Sequence, residues 1–165
     1  MLEKIRSRRS IRKFTVDDVD EKTVDLIIEM GTWAPSGINN QPWRFVIVRD
    51  QHIRNEISTQ TRYSKIIQNA PVCIAVFLDH SRSYNYIKDV QAIGACLQNM
   101  LLTIHHLGLG GVWLGEILKN RQEVEKILGV PEGMELMAVI ALGHTTEKSG
   151  QGNRRPLSEV ILAHK

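Results

Sequence analysis

The chain has 165 residues, 42% of them apolar and 24% charged, with a net charge of +3. That length fits one domain with its own core and no disulfide staples, and a small positive excess spread among Asp and Glu does not require a nucleic-acid role. Cys73 and Cys96 stand far apart in apolar runs, and no stretch has signal-peptide or membrane-spanning character, so a soluble cytoplasmic domain with buried free thiols is expected.

Residues 2–7 predict a short helix leading into Arg6, Arg8, Arg9, Arg12 and Lys13, five cations within eight residues. Such a run is ordinarily a solvated face, and an anion or nucleic-acid site is the sharper reading. Ser10, Ile11 and Phe14 interrupt the charge, which argues for an ordered anion site over a loose tail. Arginine suits that task because its planar fork grips phosphate bidentately and keeps its charge. Asp17 to Asp20 offer N-caps for a helix over 20–33, with Val24, Ile27, Ile28, Gly31 and Ala34 on one face.

That helix delivers a stiff polar loop, Trp33-Ala34-Pro35-Ser36-Gly37-Ile38-Asn39-Asn40-Gln41-Pro42-Trp43-Arg44-Phe45. Pro35 and Pro42 fix their own φ and push the preceding residues toward extended backbone. Gly37 permits a close backbone approach. Ser36, Asn39, Asn40 and Gln41 supply donors and acceptors, and Trp33, Trp43 and Phe45 supply flat apolar walls. Two readings stay open here: a holder for a planar hydrogen-bonding ligand, and a turn whose amides cap their own backbone.

Phe45 to Val48 predicts a buried strand, 51–60 a short exposed helix without chemistry, and 61–70 a surface helix. After Pro71, Val72 to Leu78 has strand length and β-branched bias. The longest helix is expected over 86–107. Val90, Gly94, Leu97, Leu101 and Ile104 mark one face, and Ala92, Cys96 and Met100 widen it, which places the helix in a core or a subunit interface. Gln98 and Asn99 are then expected as buried amides in need of partners. His105 and His106 are neighbours that point apart, with no ligand at helical spacing, so no metal is expected and one packed, one exposed histidine is.

Leu107-Gly108-Leu109-Gly110-Gly111 ends that helix, and no helix follows it in the pattern of a dinucleotide fingerprint or P-loop. Strands are expected over 111–115 and 134–142, with a small amphipathic helix from Arg121 to Leu128 between them. A polar loop is expected over 144–153. The elements together predict an α+β domain over 1–165. No Ser has an adjacent His, both Cys read as buried, and no carboxylate pair sits at acid–base spacing. An arginine grip, an amide loop with aromatic walls and a bare glycine backbone remain, which is a plan for holding a cofactor that carries the chemistry.

Three of these stretches together resemble the nitroreductase family of FMN-dependent oxidoreductases: Arg8-Arg9-Ser10-Ile11-Arg12-Lys13-Phe14, the Ala34 to Phe45 loop, and Leu107 to Gly115. Gln98-Asn99 and Arg155-Pro156-Leu157 add to the likeness, which spans essentially the whole chain. The resemblance implies a mostly antiparallel sheet flanked by helices in an intertwined homodimer, with 156–165 an arm on the partner. It implies that Arg8 and Ser10 meet the FMN phosphate, that Arg12 lies near the pyrimidine edge, and that Arg9 lies between. It further implies flavin contacts from Pro35, Ser36, Gly37 and Asn39 of the other subunit and from backbone at Leu114 and Gly115. Arg154 is implied on the phosphate, but Gly152 stands where family members often carry a Lys, leaving Lys65 or Arg9 to compensate. Lys65 or Tyr63 is the candidate for a further ring contact.

The activity so implied is ping-pong hydride transfer from NAD(P)H through FMN N5 to a nitroaromatic, quinone or similar electron-poor acceptor. A specialised family reaction such as reductive dehalogenation is an alternative. So are a flavin-storage or sensing module without turnover and, outside the family, a small nucleic-acid-binding protein using Arg6 to Lys13.

Overall fold

An unbroken apolar run builds the centre of the molecule. The computed structural model describes residues 1–147, 150 and 152–165; three positions of the expected 144–153 loop (148, 149 and 151) lie outside the described residues. Strand β2 (Val72–Asp79) is buried at every position. It lies between β1 (Trp43–Val48) and β4 (Met134–Gly143), and β3 (Gly110–Leu114) flanks β4, giving the order β1-β2-β4-β3 with every pairing antiparallel. Ile74 faces Ile47 on one side and Ile140 on the other.

Side chains of a strand alternate between faces, and here each face meets its own helices. Val72, Ile74, Val76 and Leu78 join a core with Val24 and Ile27 of α2 (Glu21–Thr32) and Leu97 and Met100 of α5 (Tyr86–His106). Cys73, Ala75 and Phe77 face the opposite core. That core takes Ile57 of α3 (Gln51–Ser58), Ile67 of α4 (Ser64–Asn69) and Val124 of α6 (Arg121–Leu128), all fully buried. The helix expected to be exposed over 51–60 is therefore part of a second covering layer. Its apolar face was hard to see because Arg54 and Ser58 are buried beside Ile57.

Helix starts follow the expected chemistry. The Asp20 carboxylate accepts from Thr23 N at 2.9 Å at the head of α2, and the Asn85 side chain accepts from Lys88 N at 3.2 Å at the head of α5. On α5 the buried face runs through Ala92, Ile93, Cys96, Leu97, Met100 and Ile104. Gly94 looks instead onto open space within its own chain, and Gln98 is exposed, so the expectation of a buried Gln98 amide fails for the single chain. The helix turns those positions away from the sheet. Asn99 and His105 are half-buried and His106 is exposed.

The two ends lie outside the sandwich. Helix α1 (Leu2–Ser7) buries no residue, and Ser7 Oγ meets His105 Nε2 at 2.8 Å. Residues 152–165, including α7 (Leu157–Val160), are exposed throughout. Among the described residues no helix is long and apolar enough to cross a membrane.

Candidate active site

The basic segment after α1 is pinned to the sheet rather than loose. Ile11 is buried and its amide donates to Gly111 O at 3.1 Å, while Thr15 N donates to His144 O at 2.8 Å. These bonds lay residues 8–15 along the β3 end of the sheet and fix where each arginine starts. Arg8, Arg9 and Arg154 meet at a cavity of about 620 Å³, lined also by Ile5, Arg6, Gln98 and Gly152. A neighbouring cleft of about 430 Å³ adds Ser10, Arg12 and Glu147 to the same three arginines.

The local field is strongly positive. Burial, then the charges of Arg154 and Arg9, pushes the Arg8 pKa down. His105 is likewise pushed down by burial and by Lys4, Arg8 and Arg9. Among the described residues the first cavity has no carboxylate in its lining, so four guanidiniums, with Arg6, share it with nothing there to neutralise them. A phosphate monoester matches that set, because guanidinium N–H donors pair with phosphate oxygens through charge-assisted hydrogen bonds.

The Ser36 to Gln41 loop is built differently. Ile38, Asn39 and Gln41 hold positive φ of 50°, 59° and 47°, a conformation that disfavours a β-branched residue such as Ile38. Local bonds hold it there: Asn39 N donates to Ser36 O at 3.1 Å, Asn40 N to Gly37 O at 3.0 Å and Gln41 N to Ser36 Oγ at 3.1 Å. The self-capping turn is thus real for Ser36, whose hydroxyl accepts from Gln41 N, whereas the Asn40 side-chain amide bonds outside the loop, to Arg82 O and Asp89. Gly37 is needed for contact, since a Cβ there would sit 2.1 Å from the Tyr84 hydroxyl. The loop still exposes polar Asn39, which shares a cleft of about 470 Å³ with Gln41, Arg44 and Arg82, and apolar Ile38, 81% exposed.

Of the expected contacts, Arg8, Arg9, Ser10, Arg12 and Arg154 converge within one chain. Pro35, Ser36, Gly37 and Asn39 do not line those cavities, and neither do Leu114 and Gly115. Leu114 is buried at the end of β3, and Gly115 is exposed beyond it. Glu116 ties this turn to the 61–63 segment, accepting from Thr61 Oγ1 at 2.6 Å and Arg62 N at 3.2 Å. Tyr63 lies under the Arg62 guanidinium, and exposed Lys65 lines neither arginine cavity. Of the two candidates to replace a cation at 152, Arg9 lines the cavity within its own chain and Lys65 does not. Sequence reasoning missed Asp89, Tyr84 and Glu116, each of which meets one segment remote in sequence: Asn40, Gly37 and the Thr61–Arg62 turn. Among the described residues no three potential ligands cluster as a metal site.

The fold has close counterparts among known proteins. The Nitroreductase family model matches residues 5–62 and 55–144, and the chain belongs to that family. A structure from Desulfovibrio desulfuricans solved in complex with FMN superposes with a TM-score of 0.94 at 46% identity, covering 99% of this chain and 96% of that one. A protein of Methanothermobacter thermautotrophicus, whose name proposes an NADH dehydrogenase or NAD(P)H nitroreductase, is 36% identical over 91% of this chain and 80% of its own. The NADPH-flavin oxidoreductase of Vibrio harveyi is 30% identical over 97% of this chain and 72% of its own.

Proposed function

We propose that this chain is one FMN-binding domain of a homodimeric, cytoplasmic NAD(P)H oxidoreductase that reduces nitroaromatics, quinones or similar electron-poor acceptors. The observation that carries the reading is the convergence of Arg8, Arg9 and Arg154 on a single cavity with no carboxylate among the described residues of its lining. Those residues fit a phosphate-bearing cofactor, and they offer no nucleophile of their own. When bound, FMN supplies hydride exchange at its N5 between NAD(P)H and the acceptor.

The protein's part is holding and electrostatics. Arg8, Ser10 and Arg154 would grip the phosphate. Arg12, whose Nη1 donates to Ser10 O at 3.2 Å, offers a cation to the negative charge that reduction places on the ring. Backbone at Leu114 and Gly115 needs no side chain to approach the ring.

Three features support a homodimer with composite sites. Pro35 to Asn39 do not line the arginine cavities of their own chain. Trp33 and Ile38, 75% and 81% exposed, offer apolar surface beside that loop. The Gly94 side of α5 and the 156–165 arm have no core of their own to join. The cytoplasmic assignment fits two free, buried cysteines.

The test is the visible spectrum of the purified protein before and after NADH or NADPH under nitrogen. A flavin spectrum near one FMN per chain that bleaches with either nucleotide is expected. A colourless protein that fails to take up added FMN would sink the proposal, and bound flavin that neither nucleotide reduces would replace the enzyme with a binding module.

A further inference from the structure

The guanidinium of Arg9 stands where a side chain of residue 152 would go. A Cβ on Gly152 would lie 2.3 Å from Arg9 Nη2, 2.4 Å from Cζ and 2.8 Å from Nε. Three backbone carbonyls fix the guanidinium in that place. Nε donates to Gly150 O at 3.0 Å, and Nη1 donates to Arg6 O at 2.8 Å and to Arg8 O at 2.6 Å. These bonds use the Nε and Nη1 donors and tie Gly150 to the N-terminal basic segment. Nη2 makes no hydrogen bond among the described residues, and Arg9 and Gly152 line the same cavity as Arg8 and Arg154.

We infer that Arg9 is a cofactor-positioning residue which supplies a cation to the phosphate grip through a recess that exists only because residue 152 is glycine. The inference rests on the reading that this cavity takes FMN. Its content is an exclusion: the space holds one cationic tip, reaching in from position 9 or from position 152, and not both. An arginine with three of its donors satisfied by backbone is also preorganised, so little rotamer freedom remains to be lost when an anion arrives. The contact at Gly152 is with the far end of a flexible side chain, not with backbone. A larger residue at 152 therefore displaces Arg9 and leaves the fold alone.

The test compares FMN with riboflavin, which lacks the phosphate, by fluorescence titration of flavin-stripped protein. Arg9→Ala should weaken FMN binding roughly 10-fold or more, the size of a lost charge-assisted hydrogen bond, with riboflavin affinity unchanged. Gly152→Ala should weaken FMN in the same direction while its melting temperature stays at the wild-type value. Gly152→Lys should leave FMN binding near the wild-type value in the wild-type background, because one cationic tip takes the place of the other, and in the Arg9→Ala background it should restore binding toward wild type. Three results would each overturn the inference: Gly152→Ala binding FMN like wild type, the double variant no better than Arg9→Ala, or Arg9→Ala losing riboflavin as much as FMN. A wild-type protein that binds FMN no better than riboflavin would instead overturn the phosphate site itself, a separate failure.

Discussion

The side-chain amide of Asn40 donates to the carboxylate of Asp89 at 2.7 Å, joining the flavin-loop candidate to the head of α5. Asp89 is fully buried and also accepts from Ser83 Oγ at 2.6 Å and from the amides of Tyr84 and Asn85 at 3.1 Å each. Asn40 donates in addition to Arg82 O at 2.9 Å. The same carboxylate thus anchors the strained Ile38–Gln41 turn and the segment that places Tyr84 against Gly37.

Replacing Asp89 with Ala would leave those donors buried without an acceptor. A loss of about 3 kcal/mol of stability is expected, within the range for stranding several buried polar groups. Burial pushes the Asp89 carboxyl up, yet the bonds from Ser83, Asn40 and the two amides outweigh it and hold the group below its ordinary value. The ionised form is therefore the stabilising one, and Asp89→Asn should also destabilise, by less. Urea unfolding of both variants at neutral pH measures this; an Asp89→Ala midpoint equal to wild type would refute it.

Glu116 predicts an acid limit. Hydrogen bonds from Lys119 and Thr61 and the amide of Arg62 outweigh desolvation and hold its carboxyl down to about 2. A pKa lower in the folded than in the unfolded chain stabilises fully above the ordinary glutamate value of about 4.3. That contribution drains away as pH falls from there toward the folded value. Unfolding measured between pH 6 and pH 3 should show stability falling with acid, and Glu116→Gln should flatten part of the fall. Identical slopes for the two proteins would remove Glu116 from the account.

Where local chemistry and tertiary structure coincide, the sequence reads well. Val72 to Leu78 is apolar at every position and becomes the central strand, and Asp20 caps the helix it was expected to cap. The basic segment was legible because Ile11 and Phe14 break its charge, and Ile11 does become the buried anchor. Gln98 misled because a wide apolar stripe on α5 does not say which side meets its own sheet. Asp89 was invisible for a different reason: its partners come from 40, 83, 84 and 85, and only the fold brings residue 40 there. The meeting of Arg9 with Gly152 is likewise a product of tertiary structure.

Both cysteines should be silent in the native protein. Burial pushes the Cys73 and Cys96 thiols up to about 12, and neither is exposed. The thiolate is the reactive species, so near neutral pH neither the charge nor the access for attack is present. A disulfide reagent should give no absorbance change with folded protein and a change for two thiols per chain in denaturant. Rapid native labelling of either cysteine would show that the core around it opens far more often than its packing implies.

The C-terminal arm gives the sharpest test of the homodimer. Residues 152–165 are exposed throughout, and Leu157, Val160, Ile161 and Leu162 find no core in their own chain. Helix α7 has four residues, too few to persist in water without tertiary packing. A second subunit would cover this apolar segment. Deleting 156–165 spares Arg154 and every other arginine of the cavity, so any loss of flavin must come through assembly. If the full chain forms the proposed dimer, light scattering should then report a monomer, and FMN affinity should fall because Pro35 to Asn39 of a second subunit would no longer reach the ring. A truncated protein that stays dimeric and holds FMN like the full chain would place the interface elsewhere, on the Gly94 side of α5 and the exposed Trp33–Ile38 surface alone.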